Sequence, residues 1–246
     1  MFTPDPDFPQ EQYFASRAWL AVVLLGVLVT AVGLPLMGVF PASAYTVQPG
    51  FGAPIFALEM ARTIADVDAV LGPIGDTLRA ERIQQMDSGN RFDFIFLTAY
   101  ALFMASFFYA VLRATGNKLW VLPVVIGLAS GVCDAVENFL LLTITSGQGA
   151  EQALIFLPFA AWGKFFAIFI CLVLAARYIQ KSRSKVLNFS GWLALVGALS
   201  IPAAFYDPSR FGWLVEQGVT VSWVAMLLYA LVRAWRSHAL LKQRAR

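Results

Sequence analysis

Six long apolar stretches alternate with polar joints along the chain, at residues 18–40, 93–113, 119–145, 152–177, 188–206 and 212–234. A helix needs about 20 apolar residues to cross a hydrocarbon core of ~30 Å, and each stretch is of that order. The pattern predicts an all-α fold, a polytopic membrane helical bundle of six transmembrane helices forming one integral membrane domain over 1–246. The joints at 114–117, 146–151, 181–185 and 207–211 are short, so neighbouring spans are expected to form antiparallel hairpins. No internal repeat, low-complexity tract or heptad array interrupts this reading.

One connection is long, 41–92. Its start, 41–54, is rich in Pro, Gly and Ala and reads as irregular. Apolar Ile55, Leu58 and Met60 follow, and Thr63 with Asp66 makes a capping-box start for a short helix that ends at Gly72 and Pro73. Ile64, Val67, Val70 and Leu71 recur on its apolar side at helical spacing. A further helix is expected over 75–87, broken by Ser88, Gly89 and Asn90. Some fifty residues barely support a core of their own, so these short amphipathic helices are expected on the outer membrane surface or over the mouth of the bundle. Residues 1–17, with Asp5, Asp7 and Glu11, read as an acidic arm lying loosely on the cytoplasmic face.

The first span imitates a secretory signal, because Arg17 precedes an apolar run that leads to Ala42, Ser43 and Ala44. Its apolar core exceeds the roughly 7 to 15 residues of such a signal, so a retained transmembrane helix is expected.

Composition strengthens the membrane assignment. The chain is 59% hydrophobic and 13% charged, where soluble domains carry about a quarter charged residues. Its 21 Phe residues suit lipid contact and helix packing. Basic residues then set the orientation. With a cytoplasmic N-terminus, the cytoplasmic flanks hold Arg17, Arg113, Lys118, Arg177, the basic joint at 181–185 and the tail from Arg233 onward. The other side has Arg210 and four Arg in the long connection. Over short loops this bias predicts an inner-membrane protein with both termini cytoplasmic. The net charge of +3 therefore belongs to cytoplasmic flanks facing membrane lipids, and no nucleic-acid partner is expected.

The candidate chemistry lies inside the spans. Asp134, Glu137 and Asn138 fall in the third and Lys164 in the fourth, where an ionised side chain costs at least about 2.5 kcal/mol on insertion scales. Counted from their shared joint at 1.5 Å per residue, Asp134 and Lys164 sit at nearly equal depth, with Glu137 one turn away. Gly127, Ser130, Gly131, Asp134, Glu137 and Asn138 occupy one side of the third span, and Ala160, Ala161, Lys164 and Cys171 one side of the fourth. The Gly127 to Gly131 step favours close approach of another helix. On the second span Asp93 and Tyr100 share a face near the same depth, while Glu216, Gln217 and Trp223 lie along the sixth. A polar cavity is expected between spans two, three, four and six, open to the outer side and covered by the short helices. Two acids around one lysine leave an excess negative charge, so either a carboxyl holds a proton or a cation or substrate amine sits there.

Other chemistry lacks its residues. The single His238 belongs to the tail, leaving no ligand set for a metal or haem, and no cofactor is expected. Walker, GxSxG and HExxH motifs are absent. Cys133 and Cys171 differ by about 10 Å in depth, too far for a disulfide. The favoured reading is binding of a small or lipid-like ligand at Asp134, Glu137, Asn138, Lys164, Asp93 and Tyr100, with proton- or cation-coupled transport as its use. The alternatives are a membrane-embedded enzyme using carboxylate acid/base chemistry on a lipophilic substrate, with no catalytic residue assigned, and a structural or assembly subunit in which Asp134 and Lys164 only fix helix register. Homo- or hetero-oligomerisation is compatible with all three.

Overall fold

The computed structural model describes residues 9–244, with side chains over 17–236. Asp5 and Asp7 and the side chains of Glu11 and His238 lie outside the described residues. Among the described residues every regular element is helical. Six helical segments are long and apolar enough to cross a membrane, as a multi-pass membrane protein requires.

The first span is α1, Pro9–Leu36, which starts well before the expected position and takes in half of the supposed loose arm. A 3₁₀ turn at Pro49–Phe51 and two short helices follow, α2 over Pro54–Glu59 and α3 over Ile64–Leu71. Thr63 caps α3 as its sequence implied: its hydroxyl accepts from Asp66 N, and the Asp66 carboxylate accepts from Thr63 N at 2.9 Å.

The second span departs most from expectation. Ser88, Gly89 and Asn90 do not break it, and α4 runs unbroken over Arg79–Thr115, 37 residues or about 55 Å. Gly89 serves packing here. A Cβ at that position would lie 2.3 Å from the Phe40 ring, so only Gly lets the chain after α1 cross the helix. The first turns of α4 therefore project past the bundle, where Arg79 pairs with Asp68 and Arg82 with Asp76, each at 2.6 Å.

The remaining spans are α5, Val121–Ser146, α6, Ala150–Ile179, a bent pair formed by α7, Lys185–Ala198, and α8, Ser200–Tyr206, and finally α10, Trp213–Arg244. A one-turn helix, α9, covers Pro208–Phe211. The bend at Leu199 has a local cause. Pro202 has no N–H for the Ala198 carbonyl, so a continuous helix would lack that bond. Between α5 and α6 the turn is tight because Gly147 and Gly149 both take left-handed backbone, φ 76° and 74°.

Apolar packing falls into two cores. At the end holding the joints 116–120 and 180–184, rings of α1, α4, α6 and α10 mesh: Trp19 meets Phe107 and Tyr229 edge-on at 5.6 and 5.5 Å, and Tyr178 meets Tyr229 at 5.6 Å. At the opposite end, Leu58, Val67 and Leu71 of the short helices bury against Met86 of α4, Leu141 of α5 and Leu157 of α6. The short helices thus sit over the bundle end. Helices α7 and α10 touch by backbone, since a Cβ on Gly197 would lie 2.5 Å from the Gly218 carbonyl oxygen, and Ser222 donates across to Ala194 O at 2.9 Å.

Candidate functional site

Lys164 is the centre of the polar cluster. Its helix presents it inward on the same face as Ala160, Ala161 and Cys171, all buried. The ammonium has three N–H bonds, and three carboxyls surround it. Glu137 Oε1 lies 2.6 Å away, Glu59 Oε1 3.1 Å and Asp134 Oδ1 3.2 Å. Glu137 is fully buried, and Asp134, Lys164 and Glu59 are 4%, 6% and 8% exposed. The equal depth of Asp134 and Lys164 expected from the spacing is therefore found, and Glu137 makes the shortest contact.

Glu59 was not anticipated. It ends α2, outside the spans, and comes down onto Lys164 from above. The only signal in the sequence is a carboxylate closing the apolar run 54–58, on a helix too short for periodicity to fix its inner face. The Oε2 atoms of Glu59 and Glu137 are buried and meet no N–H or hydroxyl donor, while the two carboxyls come within hydrogen-bonding reach of each other. A proton on either one would bridge them. Burial pushes the Glu59 carboxyl above its ordinary range against the pull of Lys164, and Asp134 pushes it further.

A second layer joins α4 to α5. Tyr100 donates to Asp134 Oδ2 at 2.7 Å and lies 3.4 Å from Ser130 O. Asn138 donates to Asp93 Oδ2 at 2.6 Å. These bonds need close helices. Gly131 supplies that closeness, because a Cβ there would meet Ala101 at 2.7 Å. Asp93 is thus held by Asn138 and does not turn outward beside Arg91, which lies 4.0 Å from Asp87. All six residues singled out in the sequence fall in one contiguous set.

Five of the six line a cavity of about 460 Å³, within the size range of small-molecule sites, while Glu137 is fully buried against Lys164 and does not reach it. Glu59, Asn90, Asp93, Asp134, Asn138 and Lys164 make its polar end, and Phe96, Tyr100, Phe103 and Trp223 supply aromatic walls. Spans two, three, four and six line it as expected, but α1 does too, through Val29, Gly33 and Leu34. Near the aromatic core α1 and α10 are in contact, with Leu227 against Gly26. Farther along, the cavity runs between them to Leu34, Met37 and Val224, which are 67%, 64% and 49% exposed on the outside of the bundle. Glu216 stands at this mouth, and Gln217 does not line it.

Asn90 is the second residue that sequence reading missed. It is 0% exposed, lines the cavity, and neither its amide nitrogen nor its oxygen has a partner. Reading α4 as continuous would have found it, one turn before Asp93 on the same face. Cys133 and Cys171 are unpaired thiols, in keeping with their estimated difference in depth. No group of His, Cys, Asp and Glu suited to a metal ion occurs among the described residues. Outside the spans, burial disfavours the Asp66 carboxylate, but hydrogen bonds from the Arg62 and Thr63 amides and the Thr63 hydroxyl prevail and hold it below its ordinary range.

Comparison with protein-family models, curated proteins and solved structures finds no match.

Proposed function

We propose that this is an inner-membrane protein, with both termini cytoplasmic, that binds a small lipid-like ligand in the cavity enclosed by α1, α4, α5, α6 and α10. The observation that carries this reading is the shape and division of the cavity. Its closed end is polar and charged, its walls are apolar and aromatic, and its mouth runs sideways between two apolar helices. An amphipath fits that division with its head against Asp93, Asp134 and Lys164 and its tail along α1 and α10. Coupling to a proton or cation follows from the surplus of carboxyls around Lys164.

A photoactivatable diazirine dodecanol tests the reading in neutral detergent. Labelling is expected at Met37 and Val224 and is expected to fall when Thr220→Trp fills the mouth. Equal labelling of all outward-facing helix surfaces, insensitive to Thr220→Trp, overturns it. The orientation has its own test: single cysteines at Gln148 and Ser182 should react from opposite sides of the membrane, and reaction from one side sinks the six-span arrangement.

One observation favours a second reading. The Glu59 and Glu137 carboxyls sit where one proton serves both, beside the Tyr100 to Asp134 hydrogen bond, as in acid/base catalysis on a lipophilic substrate. Covalent change in a bound ligand on incubation would favour this reading over simple binding.

A further inference from the structure

Resting on the cavity reading above, we infer that the ligand's head is an organic ammonium, so that the site takes single-tailed lipophilic amines.

Charge is the first argument. Among the described residues Lys164 is the only cation at the polar end, and it donates to Glu137 and Glu59 and lies 3.2 Å from Asp134. Asp93 remains as a fourth carboxyl on the cavity wall, held by a neutral amide alone. Glu216 adds another carboxylate at the mouth. An anionic head would enter against all of these, and a second cation would balance them.

The aromatic walls are the second argument, independent of the first. Tyr100 and Trp223 stack at 5.4 Å with an interplanar angle of 27°, and Phe96 packs against both at 5.6 and 6.0 Å. These rings line the cavity beside Asp93 and Asp134. Aromatic faces grouped around a carboxylate suit an alkylammonium, whereas a strongly hydrated inorganic ion gains little from them.

Asn90 points to a ligand without reference to charge. A fully buried amide with both polar atoms unpartnered is costly, and this one lines the cavity. Its oxygen can accept from an ammonium N–H, and its nitrogen can donate to a neighbouring hydroxyl or carbonyl on the same head. The tail then leaves between α1 and α10. A cavity of this size suits one chain better than a two-chain phospholipid.

The test is competition against the diazirine dodecanol label in neutral detergent at about pH 8, where an alkylammonium keeps its proton. The competitors are dodecylammonium, dodecanol, dodecanoate and lysophosphatidylethanolamine. Dodecylammonium is expected to displace the label at roughly tenfold lower concentration than dodecanol, and dodecanoate to be weakest. Asp93→Asn keeps the size of the side chain and is expected to erase most of the amine's advantage over dodecanol. A stronger effect of lysophosphatidylethanolamine than of the free amine assigns the ammonium to a lipid headgroup, and the reverse order assigns it to a free amine. If dodecanol or dodecanoate matches the amine on the unaltered protein, the ammonium assignment falls and the cavity reading stands. If no competitor displaces the label, the cavity reading fails with it.

Discussion

The two ends of this bundle solve the same packing problem in opposite ways. Near the joints 116–120 and 180–184, rings fill the space between helices: Trp19, Phe107, Phe108, Tyr178 and Tyr229 mesh edge to face. Toward the short helices the same spans separate around a cavity whose closed end is charged. The filled end closes one route through the molecule. An occupant reaches the carboxyls from the side, between α1 and α10, and movement across the bilayer would require the rings to separate. As it stands, the architecture supports a site with one entrance more directly than it supports a transport path.

The charged end should be the more fragile of the two. Lys164→Met leaves three carboxyls without their cation, and removing one partner of a buried ion pair costs about 3 to 5 kcal/mol in soluble cores. Thermal unfolding in neutral detergent should register a loss of this order. Adding Asp134→Asn should cost less than the sum of the single changes, and strict additivity would separate the two residues energetically. At the filled end, Phe107→Ala should cost about 3 kcal/mol, the low end of the range for such truncations in soluble cores, because lipid replaces water as the alternative surroundings. Ligand labelling at Met37 should survive this change, and its loss would show that the two ends act as one unit.

Glu59 allows a finer test by pH. Burial raises its carboxyl above the ordinary 4.5, so the neutral form favours the docked α2. That contribution is complete below about pH 4.5 and is lost as pH rises through the raised value. Amide exchange in α2, corrected for intrinsic rates, should therefore quicken with rising pH in the unaltered protein. It should stay level in Glu59→Gln, which mimics the neutral acid. The smallest effect is expected for Tyr100→Phe, which removes one hydrogen bond to Asp134 at a cost of about 1 to 2 kcal/mol and leaves the stack on Trp223 in place. A loss as large as that of Lys164→Met would place Tyr100 among the residues that hold the cluster together.

The amino-acid sequence made the spans legible because apolar length alone identifies them, and their pairing followed from short joints. The contact of Asp134 and Glu137 with Lys164 was legible for a geometric reason: two helices joined by a tight turn share a depth scale, so counting residues measures height. That scale fails across long connections. Glu59 lies 105 residues before Lys164, and nothing in the spacing tells how far α2 descends onto the bundle. The Ser88, Gly89 and Asn90 tripeptide misled in another way. Its composition favours a break, but Phe40 needs the missing side chain of Gly89, and Asn90 faces the cavity from an intact helix turn. Local preference yielded there to tertiary packing. The part played by α1 in the cavity was hidden because it contributes space and apolar surface rather than polar groups.

The tight turn at Gly147 and Gly149 also matters to how the molecule is made. Synthesis proceeds from the N-terminus, so Glu59, Asp134 and Glu137 are all in the growing chain before Lys164. If α5 entered the bilayer alone, it would carry two carboxyls with no cation, at about 2.5 to 3.5 kcal/mol per ionised group on translocon scales. A turn this short delivers Lys164 to the same depth as soon as α6 follows, which favours insertion of α5 and α6 together as a hairpin. Lengthening that turn would leave the finished fold almost unaltered and would burden its biogenesis, a separation between folding and insertion that pulse labelling of the nascent chain can resolve.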